Sequence, residues 1–115
     1  MANELLVAHN TGVIVYAVAR IPKGANMGQW GSVTPPAALQ AFQALNWANY
    51  AIVMVELGTT GFYEADLPDL FLTERAVEII FYEQVGANPA MGDTRISGVL
   101  LEQMDQWFAT MALRV

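Results

Sequence analysis

Residues 11–20 read Thr-Gly-Val-Ile-Val-Tyr-Ala-Val-Ala-Arg, with apolar side chains at odd and even positions alike, and the run stops at Pro22, Lys23 and Gly24. β-Branched and aromatic residues pack well on a pleated surface, so this stretch predicts a strand buried on both faces. A shorter strand is expected over residues 5–8, with His9, Asn10, Thr11 and Gly12 as the turn between them. Residues 50–57 predict another strand, closed by Gly58, Thr59, Thr60 and Gly61, and residues 62–66 its hairpin partner. Leu67, Pro68, Asp69 and Leu70 make a corner, because proline lacks a ladder donor and fixes its own φ. Over residues 76–84 the pattern alternates, setting Val77, Ile79 and Phe81 against Glu78, Ile80 and Tyr82, as in a strand with one face fully buried. Turn residues from Gly86 to Asp93 precede a last strand over 96–101.

Two stretches depart from this period. Residues 24–36 are rich in Gly, Asn, Ser and Pro, with Trp30 as their large apolar anchor, and read as a loop with room for one short strand. Over residues 36–47, Leu39, Phe42 and Leu45 recur every third position, which favours a helical turn or two. From Leu101 the period changes again: Leu101, Met104, Phe108 and Met111 share a helical face, and Glu102, Asp105 and Gln106 fall around the rest of the turn. Short strands punctuated by turn signals about every ten residues predict a mainly β fold. The expected architecture is a single antiparallel β-sandwich of immunoglobulin-like type spanning residues 1–115, with a short amphipathic helix over 101–113 as an appendage. No internal repeat, linker or low-complexity tract interrupts it.

Composition adds a constraint that pattern alone does not. Hydrophobic residues make up 55% of the chain and charged ones only 14%, against roughly 25% charged in an ordinary domain. A surface so poor in charge implies either a membrane segment or apolar faces covered by other subunits. The charge-free stretch over residues 24–55 contains Pro35, Pro36, Gln40, Gln43, Asn46 and Asn49, and so lacks the roughly 20 apolar residues of a spanning helix. No basic region precedes the first apolar stretch, so no secretion signal is expected. With 11 acidic residues against 5 basic ones, a net charge of -6 repels phosphate backbones and anionic lipid. Neither nucleic acid nor membrane is expected as a partner; other protein chains are.

Candidate chemistry is sparse. The chain has no cysteine, which removes disulfides, thiolate nucleophiles and cysteine-based metal sites. His9 stands alone and reads as a surface turn residue, without partners at triad or zinc-ligand spacing. Glu64, Asp66 and Asp69 crowd a corner and could offer hard oxygen ligands to calcium, although they read more simply as a solvated turn. Trp30, Trp47, Trp107, Tyr16, Tyr50, Tyr63 and Tyr82 could form a sugar-stacking platform, or fill the core and its interfaces. No catalytic residue, cofactor or metal site is expected. The strongest interaction signal is the terminal segment, where Met104, Trp107, Phe108, Met111 and Leu113 exceed what a free tail carries. Together with Trp30 they form the expected interface, through docking on the chain's own sheets or in a neighbour's groove.

The run from Val13 to Arg20, Trp47 and Tyr50 leading into a strand that ends at Glu56, Gly61 before Phe62 and Tyr63, and Tyr82, Gln84 and Gly86 at a strand end form a recurring set. It resembles the small β-sandwich domain of tailed-bacteriophage structural proteins and related uncharacterised bacterial proteins, over roughly residues 11–101. The matching positions are packing and turn residues, which speak to fold and carry over no catalytic residue. The chain departs from the pattern in a longer, alanine-rich stretch over residues 24–45 and in its terminal amphipathic segment. The resemblance implies a virion structural protein, a capsid decoration, connector or fibre-anchoring subunit. Such a protein is made in the host cytoplasm and held in the particle as a homo-oligomer or bound to other capsid or tail proteins. The reading from a different class is a carbohydrate-binding β-sandwich module.

Overall fold

The computed structural model describes residues 5–102. Strands hold 42% of them and helices 10%, which makes the protein mainly β. The order along the chain is β1 (Leu5–Ala8), β2 (Val15–Arg20), β3 (Trp30–Ser32), β4 (Ala38–Gln40), a 3-10 turn (Ala44–Asn46), α1 (Trp47–Tyr50), β5 (Ile52–Val53), β6 (Val55–Glu56), β7 (Phe62–Ala65), a second 3-10 turn (Asp69–Phe71), β8 (Ala76–Glu83) and β9 (Thr94–Glu102).

All strand pairings are antiparallel and fall into two sheets. The smaller runs β1-β7-β6; the larger runs β4-β3-β2-β8-β9, with β5 also paired to β2. β2 lies at the centre of the larger sheet: β8 pairs along its whole length, while β3 and β5 share its other edge. This position explains why both its faces are apolar, and Val15 to Ala19 are fully buried. Odd-numbered residues of β2 and β8, among them Val15, Ala17, Ala19, Val77, Ile79 and Phe81, meet Leu5 of β1 and Tyr63 of β7 in a core shared by the two sheets. Even-numbered residues Tyr16, Val18, Ile80 and Tyr82 face the other way, under Trp47 and Tyr50 of α1 and beside Trp30. β8 is thus apolar on two sides for the same reason as β2, and its Glu78 reaches Arg20 across the pair.

The strand expected over residues 50–57 is divided. Ile52 and Val53 pair with β2, Val55 and Glu56 pair with β7, and Met54 turns the corner with its N–H donating to the Val15 carbonyl at 3.0 Å. One apolar run therefore serves both sheets, and Tyr50 belongs to the preceding helix. The helix expected over residues 36–47 is also displaced. Leu39 pairs with Gly31 in a short strand, Phe42 packs on Trp30 with ring centroids 4.8 Å apart, and Leu45 is fully exposed. Three apolar residues at helical spacing thus meet three different surroundings, and the helical turns fall later, where Trp47 and Tyr50 share a buried side. β9 begins earlier and ends later than expected, so Leu101 and Glu102 are strand residues; the remainder of the expected terminal helix lies outside the described residues. Phe71, on the second 3-10 turn, brings the end of its ring against Gly31, where an added Cβ would lie 2.1 Å from Cζ.

Candidate interaction surface

Several polar side chains among the described residues hold loops. Asp93 ends the loop between β8 and β9, and its buried carboxylate accepts the Tyr16 hydroxyl at 2.6 Å, the Ala90 N–H at 2.9 Å and the Val85 N–H at 3.0 Å. The Trp47 indole N–H donates to the same Tyr16 oxygen at 3.0 Å, which ties α1 to β2 and to that loop. Burial pushes the Asp93 pKa up, but the hydrogen bonds from Tyr16, Ala90 and Val85 outweigh it, and the carboxyl lies below its ordinary value. Burial, reinforced by the bond to Asp93, pushes the Tyr16 phenol well above its own ordinary range.

Glu56, on β6, performs the same task for the smaller sheet. Its carboxylate accepts the Thr11 hydroxyl, the Gly12 N–H at 3.0 Å and the Gly61 N–H at 2.9 Å, closing the turn after β1 against the turn before β7. The Thr11 bond, followed by that from Gly12, lowers its pKa. His9 is not the solvated turn residue that its isolation in the sequence suggests: it is half-buried, with Nε2 2.6 Å from Glu83 Oε1, linking the end of β1 to the end of β8. Each of these three side chains, Asp93, Glu56 and His9, is engaged by its own neighbours. Among the described residues no group of three or more histidine, aspartate or glutamate side chains could hold a metal ion. Tyr16, Trp47, Tyr50 and Tyr63 are buried, so the aromatic set fills the interior more than it forms a platform. Trp30 is half-buried among Phe42, Trp47 and Tyr50. Met104, Trp107, Phe108, Met111 and Leu113, the other residues of the expected interface, lie outside the described residues.

The feature that pattern reading missed is on the outside of the smaller sheet. Register places Leu6, Glu64 and Val55 in one row across it and Ala8, Phe62 and Leu57 in the next. Here Val55 is 66% exposed, Leu6 59%, Phe62 49% and Leu57 44%, with Glu64 the charged position between them. No known family, characterised protein or solved structure matches the chain. No described helix is long and apolar enough to cross a membrane. Ile14, just before β2, and Val53 of β5 are also more than half exposed. The larger sheet ends in β9, an edge strand on which Val99 and Leu100 are open to solvent. A signal for the outer face existed in the sequence. Residues 5–8 are apolar in both phases of a strand, which means either two covering layers within the chain or one layer and a partner.

Proposed function

We propose that this chain is a non-catalytic structural subunit that assembles through apolar contact, of the kind built into tailed-phage virions as a capsid decoration, connector or fibre-anchoring protein. The carrying observation is the outer face of the smaller sheet, where Leu6, Val55, Leu57 and Phe62 stand exposed in adjacent rows. An antiparallel sheet that faces water normally alternates to polar residues on that side. Contiguous apolar area of this kind marks a contact surface. In this reading the two sheets form an immunoglobulin-like sandwich, the chain resides in the particle, and its partners are copies of itself or other virion proteins. The phage assignment rests on the resemblance of residues 11–101 to virion β-domains.

The test is to place charge on the face. Val55→Glu and Phe62→Arg leave the shared core untouched, because both side chains point outward, and are expected to keep the far-ultraviolet circular dichroism of the parent. Each should reduce the sedimenting mass of the assembled protein at micromolar concentration. Unchanged assembly in both variants counts against this face as the contact.

A carbohydrate-binding module has one observation in its favour. Phe42, 38% exposed, and half-buried Trp30 form a ring pair beside the amides of Gln40, Gln43 and Asn46, a combination suited to a sugar ring. Binding on a glycan array that is lost in Phe42→Ala would favour that reading.

A further inference from the structure

A groove lies between the segment that follows β7 and the paired strands β8 and β9. Leu67, Phe71 and Leu72, Val77 of β8 and Leu101 of β9 wall its volume of about 180 Å3, with Glu74 and Glu102 on its rim. An apolar cavity of about 150 Å3 is enough to take up benzene, so this groove has room for one aromatic side chain. The rim carboxylates are held from outside, Glu74 by the Asn26 amide at 2.9 Å and Glu102 by Lys23 at 3.3 Å. The apolar walls are therefore what the groove offers an occupant.

β9 ends at Glu102, on the rim itself, and residues 103–115 follow it with Met104, Trp107, Phe108, Met111 and Leu113. We propose that this terminal segment seats the ring of Trp107 or Phe108 in the groove of its own chain. The point of exit selects the occupant. A segment tethered at the rim is present at an effective concentration in the millimolar range, far above that of a second copy at micromolar protein. Closing so short a loop costs little chain entropy. Five or six residues span up to about 20 Å when extended, enough to cross the rim and return. The groove and the outer face of the smaller sheet are separate surfaces, so this proposal and the assembly proposal can fail independently.

The absence of cysteine allows a direct test. Leu72→Cys combined with Phe108→Cys pairs the groove with the segment, and Thr59→Cys combined with Phe108→Cys pairs the segment with a turn at the far end of β7. Under mild oxidation of dilute protein, the groove pair is expected to close within one chain at least tenfold faster than the turn pair. Equal rates would overturn the proposal, and so would a groove-pair disulfide that joins two chains, which would place the segment in a neighbour. In the unsubstituted protein, nuclear Overhauser contacts from the Leu72 methyls to the Trp107 or Phe108 ring give the same answer without any variant. Their absence from dilute, folded protein also counts against seating.

Discussion

At Asp93 a single carboxylate holds a phenol and two backbone N–H groups, and the pH dependence of stability follows from its proton. Because its pKa and that of Glu56 are lowered on folding, the unfolded chain binds more protons than the folded one as acid is added. Their contribution is complete above the ordinary carboxylate range and drains away as pH falls below roughly 4. Tyr16 behaves oppositely: its raised pKa favours the folded state below the ordinary phenol value and is lost as pH rises past roughly 10. Asp93→Asn is expected to lower stability at neutral pH by roughly 1.5–3 kcal/mol, the worth of a hydrogen bond to a charged group, and to flatten the acid limb. Urea denaturation at pH 7 and pH 3.5 measures both, and a variant as acid-sensitive as the parent would contradict this role. Gly31 has a steric task. Gly31→Ala should destabilise by about 1–3 kcal/mol, as overpacking does, because its Cβ would overlap the Phe71 ring. The companion change Phe71→Leu should recover part of that loss in the same denaturation assay.

Elements with apolar residues in both strand phases were the most legible. β2 and β8 are the paired centre of the larger sheet, and each has a cluster on either side. β1 and the hairpin of β6 and β7 were equally readable, since Gly58 and Gly61 supply the positive φ that their turn needs. Residues 36–50 were not readable. Leu39, Phe42 and Leu45 have helical spacing, but cross-strand pairing with Gly31 and ring packing on Trp30 outweigh local preference there. Asp93 and Glu56 stand at recurring positions in the sequence, but their hydrogen-bonding roles were not readable, because the hydroxyls they accept, those of Tyr16 and Thr11, lie 77 and 45 residues away. α1 should matter more than its short length suggests. Trp47→Ala removes a buried indole and the donor to Tyr16, and is expected to cost about 3–5 kcal/mol in chemical denaturation. A smaller loss would mean that α1 is a loosely held cover.

For the whole molecule, apolarity and burial are different quantities, and the gap between them is what suggests a partner. The low charge content foretold an uncovered apolar surface without locating it, because strand phase says which residues share a face and not which face is covered. The structure places such a surface on Leu6, Val55, Leu57 and Phe62. A chain of net charge -6 repels its own copies, so association through that face should strengthen when salt screens the repulsion. Contact driven by ion pairs would weaken instead. The most direct measurement is sedimentation equilibrium of the unmodified chain at micromolar concentration and 0.15 M salt, about the physiological ionic strength. Assembly through the apolar face predicts a mass that is a multiple of 12.6 kDa and rises with added salt. A single species of 12.6 kDa at every concentration and salt level would contradict it.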